Sequence, residues 1–289
     1  MPGSIVAAIV LSTATAHAVL TARDDTKRHY IATSGWPNSG QAAYLVPGES
    51  MQASPNELPV PIASVAKVMT AYLVLRAYPL HDTDDGFTMT VTAADVEDTA
   101  HRRDLDESVV RVKAGERLTE RQALAALLLP SANNIAAMLA RLVSGDVDAF
   151  TATMNDMAHA LGMRHTIYTD PSGFDSGSRS TAADQVVLAQ TAMKVPTFAK
   201  IVSLKRYRVP VAGVVRNTDS LLGTDGFVGV KTGSMDASGG CFMFASRRLI
   251  DGRPVILFGV VLGQHGHNLI TAALTAARQL ADRVAPAPV

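Results

Sequence analysis

One cysteine, Cys241, occurs in 289 residues, so no intrachain disulfide can form. It stands in the apolar stretch Cys241-Phe242-Met243-Phe244. A thiol there reads as a small buried hydrophobe rather than a nucleophile. Histidine is equally unhelpful as a metal signal. His159 and His165 flank Gly162, and His265-Gly266-His267 forms a loop, but no H-E-x-x-H pattern or third ligand accompanies either pair, so no metal is expected. Neither charge sign is in excess: 26 Lys and Arg face 26 Asp and Glu, and basic residues never run to five. Such a chain sets up no field for a polyanion, which excludes nucleic acid as a partner. A phosphate loop is rejected as well, because Val230 rather than glycine precedes Lys231-Thr232. No cofactor is expected. There is no internal repeat, and no long apolar run after the first two dozen residues.

That first run, Ser4 to Val19, is apolar and rich in small residues, and Ala16-His17-Ala18 has the form of a signal-peptidase site. No Lys or Arg precedes it. Residues 1–18 are therefore expected to be a signal peptide cleaved near Ala18, or an uncleaved membrane anchor, with the remainder outside the cytoplasm. Residues 19–40 are polar, contain Arg23-Asp24-Asp25-Thr26-Lys27-Arg28, and read as a linker.

The remainder, 41–284, reads as one α+β domain. Gln41 to Val46 predicts a strand. Ser64 to Ala77 predicts a helix with one apolar face of Val65, Val68, Met69, Tyr72 and Leu75. The charged stretch 81–117 reads as a solvated loop with short elements. Helices follow at Thr119–Leu129, opened by a capping box of Thr119 and Gln122, at Asn134–Val143 and at Asp146–Leu161, with a further helix start at Ser180-Thr181. Strands are predicted at Arg206–Val215, Val228–Thr232, Gly240–Ser246 and Val255–Leu262, then a helix at Asn268–Val284. Strands near both ends can join in one antiparallel sheet. This gives a sheet lobe of 41–63 with 200–284, a helical lobe of 64–199, and a cleft between them.

Three short segments carry chemistry. Ser64 and Lys67 lie at i and i+3, neighbours on one helical face. Serine is a weak nucleophile until a base takes its proton, and a lysine in a dry setting can be that base. Ser131 and Asn133 follow Pro130 at a helix break. They supply a hydroxyl that could pass a proton and an amide that both donates and accepts, although ordinary helix capping would also place such residues there. Lys231 and Thr232 stand on a predicted strand and can bind a carboxylate, while Gly233 leaves room for an extended peptide along the strand edge.

Together, S-x-x-K, S-x-N and K-T-G in this order resemble the penicillin-binding proteins of the D-alanyl-D-alanine carboxypeptidase family, and class A β-lactamases share the pattern. The resemblance runs from about Gln41 to about Leu262. It extends to Pro61-Ile62-Ala63, Asp170-Pro171-Ser172-Gly173, Ser180-Thr181-Ala182-Ala183-Asp184 and Asn217-Thr218-Asp219-Ser220-Leu221-Leu222. It implies a DD-peptidase fold like that of the serine β-lactamases. Catalytic residues would be Ser64, Lys67 and Ser131, with Asn133, Lys231, Thr232, Gly233 and Ser234 binding substrate. The implied substrate is a peptidoglycan stem peptide ending in D-Ala-D-Ala, and β-lactam antibiotics would acylate Ser64. A class A β-lactamase needs a Glu between the second and third motifs, and none follows Glu120. Transpeptidase, endopeptidase and silent peptidoglycan-binding readings share the motifs, although a silent module would be expected to lose Ser64 or Lys67. Departures are the divergent region 95–110, Asp219 where relatives often have Asn, and a single closing helix where many relatives add a β domain and an anchor helix.

Overall fold

The computed structural model describes residues 35–81 and 83–287. The expected signal peptide or anchor, and the linker up to residue 34, lie outside the described residues. Residues 35–40 lie against the sheet: the Trp36 ring sits 5.7 Å from that of Tyr44, and Gln264 donates to Ser39 O at 2.8 Å.

In chain order the elements begin with β1 (Gln41–Leu45), β2 (Gln52–Ala53), β3 (Val60–Pro61) and a 3₁₀ turn at Ala63–Ala66 that leads into α1 (Lys67–Ala77). Next come β4 (Thr88–Thr90), α2 (Ala93–Asp104), β5 (Arg117–Thr119), α3 (Glu120–Leu128), α4 (Asn133–Ser144) and α5 (Val147–Ala160). Then β6 (Arg179–Ser180), α6 (Ala182–Met193), α7 (Pro196–Val202), β7 (Arg206–Val209) and β8 (Gly213–Arg216) precede the long strands β9 (Phe227–Met235), β10 (Gly239–Ile250) and β11 (Arg253–Gln264), and α8 (Leu269–Val284) follows.

The main sheet has the antiparallel order β2-β1-β11-β10-β9, so strands from the two ends of the sequence meet at the β1–β11 pair. Period-two alternation decides what each face meets. Tyr44, Phe242, Phe244 and Val261 turn to one face and pack on α8. Ala43, Met243, Ala245 and Val260 turn to the other and join the large core of the remaining helices. α8 comes close because Ala273, Ala277 and Ala281 recur every fourth residue on its buried side. α6 packs against both the sheet and α1. This is the α+β architecture the sequence pointed to.

Two elements differ from the sequence reading in ways that matter for the site. α1 has no solvent face: every residue from Lys67 to Leu75 is buried, as befits a helix at the centre of the domain. The stretch 81–117 is not loop with short elements alone. It holds α2, a polar helix with only Asp95 and Thr99 buried, so hydrophobic periodicity could not announce it. Its signals are a capping box of Thr92 and Asp95 and an Asp98–Arg102 ion pair at i, i+4, 2.9 Å long. The expected strand Arg206–Val215 is in fact a hairpin, β7 and β8, turning at residues 210–212.

Candidate active site

Ser64 lies in the 3₁₀ turn that precedes α1, directly after Ala63, a non-glycine residue at φ 46°. Lys67 opens α1, and its Nζ lies 2.8 Å from Ser64 Oγ. The amine also donates to the Ser172 carbonyl at 2.7 Å. Lys67 is wholly buried. Burial holds its pKa well below the ordinary lysine range, and the nearby Lys231 ammonium adds to the effect, against opposing pulls from Asp170 and Glu107. A neutral amine keeps an N–H for Ser172 and offers its lone pair to the Ser64 proton. That is the arrangement a lysine base requires.

The Ser172 carbonyl is held in place by its loop. The Asp170 carboxylate accepts from the backbone N–H of Ser172 and of Gly173, at 3.0 and 2.9 Å, and from Ser178 Oγ at 3.0 Å. Thr70, one turn along α1 from Lys67, donates to Pro171 O at 2.6 Å. Gly173 has φ +74°, and a Cβ there would stand 1.9 Å from the Ala63 carbonyl oxygen. Only glycine lets this loop close on the turn that carries Ser64.

Ser131 and Asn133 are not spent on capping. The N-cap of α4 is Ala132, with no side-chain cap bond. Ser131 sits at φ 69° with its hydroxyl buried and without a partner. Positive φ in a non-glycine residue is a strained conformation, and it occurs here and at Ala63, beside Ser64. Asn133 is buried and gives its side-chain Nδ2 to Glu107 Oε2 at 2.7 Å.

The third segment lies on β9, the terminal strand of the sheet. Gly233 packs on the turn that carries Ser64: a Cβ there would come within 2.8 Å of Ser64 N. The lack of a side chain therefore lets β9 approach Ser64, a reason additional to the room for a peptide expected from the sequence. Thr232 Oγ1 is hydrogen-bonded to Thr218 Oγ1. Thr218 N in turn donates to Leu129 O at 3.2 Å, which ties β9 to the segment leading into Ser131. Lys231 is buried and donates to Thr232 O at 2.8 Å. Burial pushes its pKa down to about 7, with the Asp219 carboxylate pulling the other way. Asp219 is itself buried, which pushes its carboxyl up to about 6 against the Leu221 N–H and the Lys231 charge.

A cleft of about 420 Å³ is lined among others by Ser64, Glu107, Asn133, Phe174, Ser234 and Asp236, but not by Lys67, Ser131, Lys231 or Thr232. Lys67, Ser131, Lys231 and Thr232 are buried. Ser64, Asn133 and Ser234 thus share one cavity, Gly233 abuts Ser64, and Lys67 senses the charge of Lys231.

Residues 47–266 match the family described as D-alanyl-D-alanine carboxypeptidase. The chain belongs to that family. A D-alanyl-D-alanine carboxypeptidase of Mycobacterium tuberculosis, DacB2, is 34% identical over 71% of this chain and 69% of its own. A D-alanyl-D-alanine endopeptidase of Pseudomonas aeruginosa is 31% identical over 76% and 68%. The fold is that of the Streptomyces K15 DD-transpeptidase, with a TM-score of 0.75 over 86% of this chain and 98% of that one at 24% identity. A penicillin-binding protein homologue from Mycobacterium tuberculosis overlays with a TM-score of 0.72, covering 85% and 90%, at 28% identity. This D-alanyl-D-alanine carboxypeptidase family member is accordingly a serine peptidase. Among its described residues no helix is long and apolar enough to cross a membrane.

Sequence reasoning missed three parts of the site. Glu107 was absorbed into a solvated loop, yet it is buried and bonded to Asn133; the signal that could have found it is the capping box that starts α2. Asp170 was read only as part of a turn. The Ser172 contact is a backbone carbonyl, which no residue type advertises.

Proposed function

We propose that this chain is a serine-type D-Ala-D-Ala carboxypeptidase of peptidoglycan. The observation that carries the reading is the buried Lys67 amine 2.8 Å from Ser64 Oγ. In the forward step Ser64 Oγ attacks the carbonyl between the two terminal D-alanines as Lys67 takes its proton. The oxyanion develops between the backbone N–H groups of Ser64 and Ser234, each donor of this type being worth about 10²–10³ in rate. Ser131 passes the proton to the departing amine, the C–N bond breaks and D-alanine leaves. Water then attacks the Ser64 ester, releasing the shortened peptide and the free hydroxyl. Asn133 positions the peptide, and Lys231 and Thr232 grip its terminal carboxylate. A β-lactam enters the same way and leaves Ser64 acylated. The relatives named above are D-alanyl-D-alanine peptidases by name, which supports a role for this chain in the cell wall, outside the cytoplasm.

The test is intact mass spectrometry after incubation with benzylpenicillin, combined with an assay for D-alanine released from a peptide ending in Lys-D-Ala-D-Ala. An adduct mapped to Ser64, lost in Ser64→Ala, together with D-alanine release is the expected result. Cleavage of cross-linked dimers without release from the linear peptide would make the chain an endopeptidase instead. No adduct would sink the reading.

The two buried lysines make a pH prediction. In the free enzyme Lys231 loses its charge as pH rises through about 7, so its hold on a carboxylate weakens above that pH. KM for a carboxylate-terminated peptide is expected to rise several-fold between about pH 7 and 9. Asp219 favours the charged amine, so Asp219→Asn should start the rise at lower pH. A KM flat across this range in both proteins would remove Lys231 from carboxylate recognition.

A further inference from the structure

Glu107 reaches the site from outside all three motifs. Its carboxylate is buried and takes two bonds from Arg102 Nη1, at 3.0 Å to Oε2 and 3.3 Å to Oε1. Arg102 is itself fixed by Asp98, 2.9 Å from its Nε. Oε2 also accepts from Asn133 Nδ2 at 2.7 Å. On the main chain, Asn133 N donates to Ser108 O at 2.7 Å, so the 107–108 segment holds Asn133 by both backbone and side chain. The Asn133 Oδ1 atom is sealed from solvent and has no hydrogen-bond partner. Glu107 and Asn133 both line the cleft that contains Ser64.

A side-chain amide has two faces of opposite polarity, and nothing in asparagine itself chooses between them. The chemistry of the neighbour does. A carboxylate whose two oxygens already accept from a guanidinium meets its neighbour with an acceptor, so the atom of Asn133 turned towards it must be the nitrogen. We propose that Glu107 is a positioning residue for Asn133, locking the amide so that its oxygen remains as the free acceptor within the active site. The Asp98–Arg102–Glu107 chain carries that lock from α2, which gives the divergent region 95–110 a role in the reaction. Without the carboxylate, the amide can turn over and present a donor where an acceptor is needed. The proposal deepens the serine-peptidase reading and rests on it for its kinetic consequences, but the lock itself is a property of the resting protein.

The test uses Glu107→Gln, which keeps the shape of the side chain and can face either end of the Asn133 amide. Acylation of Ser64 by benzylpenicillin is expected to slow by about 10- to 100-fold, the scale of a small misplacement of a reacting group, with a thermal midpoint close to that of the parent. Glu107→Asp, which keeps the charge, should recover part of the loss. In an Asn133→Ala background the same Glu107→Gln change should cost under about twofold, because its effect passes through the amide. An equal loss in both backgrounds, or wild-type rates in Glu107→Gln, would overturn the proposal. Side-chain amide NMR gives an arm independent of activity. One Asn133 Nδ2 proton, assigned by Asn133→Asp, should resonate downfield in the parent and return towards the ordinary amide position in Glu107→Gln. An unshifted proton in the parent overturns the lock even if acylation is normal. A parent that is never acylated, with the shift present, sinks the peptidase reading and leaves the lock standing.

Discussion

Replacing Lys67 by methionine is expected to leave the domain folded and to slow acylation of Ser64 by about 10²–10⁴, the usual contribution of a positioned general base. Methionine keeps an unbranched stem of similar volume in a wholly buried site. The Ser172 carbonyl loses its donor, at a cost of about 1–3 kcal/mol. Removing an amine that burial already disfavours as a cation offsets part of that cost. Stability and activity should therefore part company, with a modest change in thermal midpoint beside a large loss of rate. The measurement is the second-order rate of adduct formation with benzylpenicillin, read against a thermal melt. Near-normal acylation in Lys67→Met would mean that another group takes the Ser64 proton.

Gly173→Ala is the second large effect, and its origin is steric. The new Cβ would stand 1.9 Å from Ala63 O and 2.9 Å from Ala66 Cβ, at φ +74°. The positive φ alone costs about 1–2 kcal/mol. The collision adds to this, because the obstacle is backbone on the turn that carries Ser64. Either the 170–174 loop withdraws, taking the Ser172 carbonyl from Lys67, or the nucleophile turn shifts. A displacement of about 1 Å at reacting groups is worth about 10²-fold in rate. Gly162→Ala is the control: it has a similar φ of +77° but nothing within 4 Å of the added methyl. The control should lose only the conformational part of the stability and keep its acylation rate. Equal losses in the two variants would show that contact with the nucleophile turn does not matter.

Much of the fold could be read before any coordinates, for identifiable reasons. The Thr119–Gln122 capping box opens α3 as its residue types require, and Thr181 and Asn268 cap α6 and α8. The alternating Phe and Met of β10 fill two cores on opposite faces. The three motifs are legible because the proposed nucleophile, base and carboxylate grip depend on side-chain type at fixed spacing. What could not be read depends on tertiary surroundings. α1 was assigned one apolar face, and only its position at the centre of the domain puts Lys67 and Thr70 out of water. α2 is stabilised by caps and ion pairs rather than an apolar stripe, so its segment passed for loop. With it went Glu107, whose part in the site exists only once Arg102 and Asn133 come together around it. Gly233 was noticed for the space it leaves to a peptide, yet its nearest neighbour is the backbone of Ser64.

The proposed chemistry needs Lys67 to be an uncharged amine in the resting protein. Its protonation can be followed directly, by NMR titration of protein labelled at the lysine ε-carbon, with the resonance assigned by comparison with Lys67→Met. A Lys67 signal that titrates far below the remaining lysines, or is already in its neutral form at the lowest pH the fold withstands, is the predicted result. A signal that moves with the surface lysines, near the ordinary value of about 10.4, would contradict it.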